Sequence, residues 1–201
     1  MIDLFWLIPL IPMVGVIING LFGRRIKSEK VIALIACATI LTSFVLSVGA
    51  VYELAQRPVE ERHEEITLYE WIPSGVAHLT DDSLHEKTAT FSVPFAFLLD
   101  PLSAVMILVV TGVGSLIHIY AVGYMRGDAG YYRFFTYLNL FMFFMLILVL
   151  GNSYGLMFIG WEGVGLCSYL LIGYYIGKRS AGDAGKKAFI VNRIGDLGFI
   201  L

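Results

Sequence analysis

Two apolar stretches near the end of the chain carry ionisable side chains at positions that would lie within the hydrocarbon layer of a membrane. Glu162 lies in the middle of residues 154–176, and a rise of about 1.5 Å per residue places it about 12 Å from Tyr154. That is close to the centre of a hydrocarbon layer about 30 Å thick. A carboxylate there costs roughly 2.5–3.5 kcal/mol, so it is normally paired, protonated or in contact with water. Such an acid predicts proton transfer or charge pairing.

The next apolar run, which begins at Lys186, brings Asn192, Arg193 and Asp196 to a similar depth. Arg193 and Asp196 are three residues apart and therefore share one helix face. They could neutralise each other as a buried pair that only fixes packing, which would leave Glu162 alone and favour its protonated form. If Arg193 can instead pair with either acid, its choice decides which acid binds a proton, and the three residues form a relay.

The helix face around Glu162 also favours contact with protein. At about 100° per residue, this face carries glycines and aromatic residues: Gly155, Phe158, Ile159, Gly165, Leu166, Tyr169 and Gly173. Glycines and a tyrosine beside a buried acid predict packing against protein or water, and not against lipid.

The elements that must position these residues are membrane spans. The 201 residues are 58% hydrophobic, with a mean hydropathy of +0.78, which is more than a soluble domain needs to fill its core. The formal net charge of −2 excludes a basic surface for nucleic acid. Met1-Ile2-Asp3 lacks the basic start of a secretory signal, so we expect the first apolar run to be a true span.

The fold class predicted is an all-α polytopic membrane protein with five transmembrane helices and the start of a sixth. The five spans are expected at residues 2–22, 31–52, 101–124, 134–150 and 154–176. The last apolar run begins at Ala188 and reaches only Leu201, which is too short to span. We therefore expect an N-terminal fragment of a longer protein.

An acidic segment at residues 53–98 separates the second span from the third. Within it, residues 66–71 and 88–99 are typical of β-strands and predict a small extramembrane hairpin. We accordingly divide the chain into four parts: helices one and two (1–52), the acidic segment (53–98), helices three and four (99–153), and a module with helix five and the start of six (154–201).

No metal or disulfide site is predicted. The histidines of the acidic segment, His63, His78 and His85, are separated by 15 and 7 residues. This spacing lacks the pattern of metal ligands, and no cysteine accompanies it. Cys37 and Cys167 lie within apolar spans, where a thiol packs as a small hydrophobic group.

Asp100 and His118 stand near the two ends of the third span. Asp100-Pro101 is a helix-start signal, with Asp as the N-cap and Pro as the first helical residue. Asp100 is therefore predicted to be a structural cap rather than a relay group. His118 lies about 27 Å further along the helix, near the opposite interface. It is either a satisfied interfacial histidine or a point where protons enter the protein.

The basic residues predict the orientation of the chain. The loops after spans one, three and five contain ten of them: Arg24, Arg25, Lys27, Lys30, Arg126, Arg133, Lys178, Arg179, Lys186 and Lys187. The loops on the other side contain three: Arg57, Arg62 and Lys87. Because basic loops stay in the cytoplasm, we expect the N-terminus and residues 53–98 to lie outside.

The motifs around the relay resemble a known family. Residues 161–173, WEGVGLCSYLLIG, and 187–196, KAFIVNRIGD, are similar to the antiporter-like membrane subunits of bacterial NADH-quinone oxidoreductase, respiratory complex I. LDPLS at 99–103 and HIYAVGYMRG at 118–127 support this. The Trp-Glu pair alone is shared with sister subunits and with monovalent cation/proton antiporters, whereas the longer string favours subunit L. The resemblance covers 99–201 and reaches residues 1–98 only through their pattern of spans.

What this resemblance implies is a proton-translocating subunit of the membrane arm, located in the bacterial inner membrane. The acid matching Glu162 exchanges protons there, Arg193 and Asp196 match positions of the same network, and a partner lysine lies beyond Leu201. NADH, FMN, iron–sulfur clusters and quinone are implied for other subunits, and no cofactor or redox centre for this chain. The implied partners are other membrane-arm subunits, the lipid bilayer and protons.

Two alternatives remain open. The chain could belong to a stand-alone sodium or potassium/proton antiporter, in which Glu162 would serve the same purpose. It could also be a non-catalytic membrane scaffold, in which Glu162, Arg193 and Asp196 only hold helices together.

Overall fold

A computed structural model describes residues 2–26, 28–80 and 86–200 of the chain. Lys27, Asp81, Asp82 and His85, which contributed to the charge and histidine predictions above, lie outside the described residues. The side chains of His78, Glu86 and Lys87 lie outside them as well.

The chain forms a helical bundle with one hairpin between its second and third long helices. The α-helices are α1 (Leu7–Phe22), α2 (Glu29–Gln56), α3 (Pro101–Tyr124), α4 (Tyr131–Leu150), α5 (Tyr154–Ile172) and α6 (Arg179–Ile200). A 3-10 turn at Ile2–Leu4 precedes α1, and another at Val59–Glu61 follows α2. Within the described residues, α2 to α5 and the segment Ile2–Phe22 are long and apolar enough to cross a membrane, which confirms the predicted spans.

Several helices differ from the predicted spans at their ends. α2 extends beyond 31–52 at both ends, and α4 begins at Tyr131 instead of Phe134. α5 ends at Ile172 instead of residue 176 because Gly173 closes its last turn and Tyr174 leaves the helix. α6 begins at Arg179 and not at Lys186. Apolar content marks the part of a helix that lipid can cover, whereas the helix itself continues into the polar interface.

The predicted hairpin is confirmed, with longer strands. β1 (Glu64–Thr80) pairs antiparallel with β2 (Glu86–Leu99), in a register that runs from Glu64 opposite Leu99 to Thr80 opposite Glu86. Register shifts between Ile72 and Gly75 allow β1 to continue past Pro73, because a bulge accommodates a residue that cannot donate to the ladder. The hairpin contacts the bundle where Asn152 N–H donates to the Ala96 carbonyl at 3.0 Å.

Helices α1 to α4 pack around one another, α5 packs on α4, and α6 packs on α5. Pro12 lies inside α1 and cannot donate to the carbonyl of Ile8. The buried hydroxyl of Ser43 on α2 donates to that carbonyl at 3.0 Å. A neighbouring helix thus satisfies the group that proline leaves free, as a membrane interior requires.

Asp100 is the N-cap of α3, as predicted. Its carboxylate accepts from the backbone N–H of Ser103 at 2.7 Å, and the Ser103 hydroxyl accepts from the Asp100 N–H at 2.8 Å. This reciprocal capping box satisfies two backbone donors that the helix start would leave unpaired. The chain therefore turns from the end of β2 directly into α3.

Candidate functional site

Glu162 is positioned by the contact between α5 and α4. A Cβ added at Gly160 would lie 2.5 Å from the backbone nitrogen and 2.6 Å from the Cα of Leu148. Only glycine permits this approach of two backbones. The turn before α5 is closed by Ser153, whose hydroxyl accepts from the Leu156 N–H at 3.3 Å. The site residue is thus carried by a helix fixed at its start and at its middle.

Helix α5 packs against α6 through aromatic side chains. The rings of Phe158 and Trp161 lie 5.7 Å and 5.9 Å from the ring of Phe199. Nearer the other end, Tyr169 and Phe189 are 5.6 Å apart. These contacts hold α6 alongside α5, and the predicted glycine and aromatic face meets protein.

Arg193 lies between the two acids. Its Nη1 contacts Oε2 of Glu162 and lies 3.5 Å from Oδ2 of Asp196. The side chain of Asp196 is 7% exposed, that of Glu162 22% and that of Arg193 44%. The sequence left open which acid the guanidinium selects, and the structure shows it within reach of both. Arg193 also lies over the Phe189 ring at 4.6 Å.

Trp161 is a site residue that the sequence analysis did not identify. Its indole Nε1–H donates to Oδ1 of Asp196 at 2.7 Å. Both oxygens of Asp196 therefore have partners, with Oδ1 facing Trp161 and Oδ2 facing Arg193. Trp161 precedes Glu162 and points about 100° away from it around the helix. The available signal was its indole N–H, which needs an acceptor wherever water is excluded.

Asn192 lines a cavity next to this cluster. Its amide nitrogen lies 3.7 Å from the position that a Cβ on Gly165 would occupy. The cavity has a volume of about 340 Å³ and is also lined by Trp161, Ser168 and Asp196. Apolar side chains, among them Leu148, Val164 and Val191, form the rest of its wall.

The charges of the cluster define its chemistry. Two carboxylates share one guanidinium, so the set carries one excess negative charge when both acids are ionised. Two unit charges 4 Å apart interact by about 4 kcal/mol at an effective dielectric constant near 20. Moving the guanidinium from one acid towards the other therefore changes the proton affinity of both.

His118 is not part of this cluster. It is fully buried on α3, with Nδ1 at 2.8 Å from the Gly114 carbonyl and Nε2 at 3.0 Å from Oδ1 of Asn139 on α4. The structure thus brings Glu162, Arg193 and Asp196 together and places His118 in the interior of the α1–α4 bundle. Among the described residues, no group of three His, Cys, Asp or Glu side chains could hold a metal ion.

Comparisons with known sequences identify two matching family models. One, described as NADH-Ubiquinone oxidoreductase (complex I), chain 5 N-terminus, matches residues 86–135. The other, described as NADH:quinone oxidoreductase/Mrp antiporter, TM, matches residues 151–201 and so includes the whole acid cluster.

Curated relatives match over nearly the whole chain. NADH-quinone oxidoreductase subunit L of Pseudomonas aeruginosa is 43% identical over 188 residues, which are 94% of this chain and 28% of the relative. Subunit L of Mycobacterium tuberculosis is 42% identical over 96% of this chain and 28% of its own. NADH-ubiquinone oxidoreductase chain 5 of Metridium senile is 39% identical over 98% of this chain and 30% of its own.

The fold has a counterpart among solved structures. A chain in the structure of the Mrp complex from Dietzia sp. superposes with a TM-score of 0.67 over 98% of this chain and 18% of that chain, at 20% identity. At this identity the likeness concerns the fold alone. The chain spans 28% of the length of the first two curated relatives. By its sequence matches, this chain belongs to the family of antiporter-like membrane subunits that includes NADH-quinone oxidoreductase subunit L and chain 5.

Proposed function

We propose that this chain is part of a proton-translocating, antiporter-like subunit of NADH:quinone oxidoreductase, a translocase of the respiratory chain. The observation that carries the proposal is the placement of Arg193 between Glu162 and Asp196 in the middle of the α5–α6 pair. NADH oxidation and quinone reduction, with FMN and iron–sulfur clusters, take place in other subunits and drive the transport. This chain contributes the protonatable groups.

The transport step follows from competition for one guanidinium. While Arg193 stays on Glu162, that carboxylate is held ionised. When Arg193 turns to Asp196, Glu162 is left as an acid in a low-dielectric layer and takes up a proton. The return of Arg193 releases the proton again. Trp161 holds Oδ1 of Asp196 and so keeps Oδ2 turned towards Arg193 throughout.

The proposed location is the bacterial inner membrane, with the N-terminus and residues 53–98 outside and the basic loops in the cytoplasm. Contacts at the two ends of the bundle are consistent with the hairpin and the basic loops lying on opposite sides. At one end, the hairpin meets the α4–α5 turn. At the other end, Glu29 accepts from the Gly127 N–H at 3.2 Å and Asp128 accepts from the Tyr174 hydroxyl at 2.7 Å. The partners are other membrane-arm subunits and lipid, and residues 154–201 form the translocation module.

The decisive experiment replaces Glu162 by Gln in the full-length subunit within its assembled complex. The change keeps the size and polarity of the side chain and removes its ability to ionise. We expect assembly to persist and the number of protons moved per NADH oxidised in reconstituted vesicles to fall. Glu60→Gln, at an exposed carboxyl in the 3-10 turn after α2, is the matched control. An assembled Glu162→Gln complex that pumps normally would show that the cluster only holds helices together.

The second candidate is a subunit of a stand-alone monovalent cation/proton antiporter. The description of the second family model, which names the Mrp antiporter, favours it. Co-purification of the full-length protein separates the two functions. Flavin and iron–sulfur subunits together with NADH-driven transport indicate the oxidoreductase, whereas transport driven by an imposed sodium or potassium gradient indicates the antiporter.

A further inference from the structure

A second polar unit lies inside the α1–α4 bundle, remote from the acid cluster. His118 of α3 and Asn139 of α4 are both fully buried. Nδ1 of the imidazole faces the Gly114 carbonyl, and Nε2 faces Oδ1 of Asn139. The ring of Phe135 lies 6.4 Å from the imidazole ring. Buried polar groups of this kind are expensive unless every donor and acceptor is satisfied.

The hydrogen positions in this unit conflict with its heavy-atom contacts. The Gly114 carbonyl can only accept, so Nδ1 of His118 must carry a hydrogen. In a neutral imidazole Nε2 then has only a lone pair. Its neighbour at 3.0 Å, Oδ1 of Asn139, can also only accept. Two acceptors cannot form a hydrogen bond with each other.

There are two ways to resolve this conflict. In the first, Nε2 is also protonated and the imidazolium donates to both neighbours. In the second, the Asn139 amide is rotated by half a turn, so that Nδ2 donates to Nε2. The orientation of an amide depends on its hydrogen-bond network, because oxygen and nitrogen are nearly equivalent in shape. In the orientation described, the buried Nδ2 of Asn139 has no acceptor, which the second arrangement would correct.

The surroundings allow both amide orientations. Around the free side of the amide lie Gly15 of α1 and the hydroxyl of Thr39 of α2. Nδ2 of Asn139 and Oγ1 of Thr39 lie 2.5 Å and 2.9 Å from the point that a Cβ on Gly15 would occupy. The absence of a side chain at Gly15 leaves the amide room. The Thr39 hydroxyl donates to the Ala36 carbonyl at 2.9 Å, so it can accept from an amide nitrogen, and it would have to turn from that carbonyl to donate to an amide oxygen.

The charges around the imidazole determine whether the neutral or the protonated arrangement is the resting one. The contacts of His118 are Gly114, Asn139 and Phe135, and none of them carries a charge. Helix α1 has no titratable side chain within Leu7–Phe22. On α4, the titratable groups within about two turns of Asn139 are Arg133 and the phenols of Tyr131, Tyr132 and Tyr137. On α2, the thiol of Cys37 is two residues from Thr39. Glu29, Lys30 and Arg133 lie at the basic-loop ends of α2 and α4. The neutral imidazole is therefore the resting form.

We propose that Nε2 of His118 is a proton-binding site and that Asn139 is its switch. When Nε2 is empty, Nδ2 of Asn139 donates to it. When a proton from water binds, Nε2 becomes a donor, the Asn139 amide rotates, and Oδ1 accepts. One O–H bond of a hydronium ion breaks, one N–H bond forms at Nε2, a neutral water molecule is left, and the unit gains one positive charge. The site is separate from Glu162, and its existence does not depend on the role proposed for that acid.

The test is nitrogen-15 NMR of the full-length subunit, labelled at histidine, in its purified complex in lipid. The signals that are present in the unsubstituted protein and absent from the spectrum of His118→Gln are those of His118. At about pH 8 we expect Nδ1 protonated and Nε2 unprotonated, and on acidification to about pH 5 we expect both nitrogens protonated. In Asn139→Asp the carboxylate can only accept, so His118 should be doubly protonated already at the higher pH.

Three results would overturn the proposal. The first is a neutral His118 whose hydrogen lies on Nε2. The second is an unchanged protonation state across the whole pH range in the unsubstituted protein. The third is a neutral His118 in Asn139→Asp at the higher pH. Because Glu162→Gln is scored by proton pumping and this site by nitrogen chemical shifts, failure of one proposal leaves the other standing.

Discussion

The close approach of α5 to α4 at Gly160 allows a quantitative test of how the acid cluster is held. A methyl group at this position would meet the backbone nitrogen and Cα of Leu148 at 2.5 Å and 2.6 Å. Backbone atoms cannot turn aside as a side chain can. Gly160→Ala must therefore push the helices apart by about 1 Å to reach ordinary van der Waals separation.

A matched control lies on the same helix. A Cβ on Gly165 would have its nearest neighbour, the amide nitrogen of Asn192, at 3.7 Å, which is an ordinary contact. Both substitutions gain the same helix propensity of alanine over glycine, so the difference between them isolates the steric cost. Overpacking of this kind costs about 1–3 kcal/mol. That corresponds to roughly a 5- to 150-fold change in the unfolding equilibrium.

The assay is thermal unfolding of the purified full-length complex, followed by tryptophan fluorescence, together with the yield of assembled complex. We expect Gly165→Ala to be at least as stable as the unsubstituted protein and Gly160→Ala to unfold at a lower temperature than Gly165→Ala. Because Glu162, Arg193 and Asp196 lie on α5 and α6, which would move together, complexes that do assemble should keep most of their transport. Equal stability of the two variants would refute the claim that the α4–α5 contact fixes this helix.

Two further predictions concern the ends of the helices. Asp100→Ala removes the capping box of α3 and should lower the free energy of unfolding by about 1 kcal/mol, whereas Asp100→Asn should retain most of it; thermal unfolding of both variants checks this. Tyr174→Phe removes the hydrogen bond to Asp128 and should cost about 1.5–3 kcal/mol. Burial, and then the Asp128 carboxylate, raise the pKa of Tyr174 above its ordinary value. The hydrogen bond therefore contributes its full stabilisation below the ordinary tyrosine pKa and loses it only as the pH rises through the raised pKa. The stability difference between Tyr174→Phe and the unsubstituted protein should accordingly stay constant between about pH 6 and pH 9.

The parts of the fold that could be predicted are those specified by local sequence. α3 was predicted from Pro101 to Tyr124, which are its observed ends, because an N-cap and a proline mark its start within two residues. The relative placement of Arg193 and Asp196 was also predictable, since a spacing of three fixes the face of a helix. The position of Glu162 in the middle of α5 likewise followed from the length of its span.

The parts that could not be predicted depend on contacts between distant segments. Trp161 meets Asp196 only because α6 folds back along α5. His118 was expected near an interface, but its hydrogen-bond partner Asn139 lies on another helix, and the residue that leaves the amide room, Gly15, lies on a third. A spacing rule within one helix contains no information about such neighbours. The extension of β1 past Pro73 likewise depended on its pairing with β2.

The geometry of the acid cluster also indicates which of its parts can move. α5 is fixed against α4 by Gly160, and α6 is fixed against α5 by the rings around Phe199. Asp196 is nearly enclosed and is held at Oδ1 by Trp161. Arg193 is the most exposed of the three charged groups, at 44%, and its long side chain already lies within reach of both acids. A change of pairing therefore requires rotation of one side chain, and no displacement of a helix.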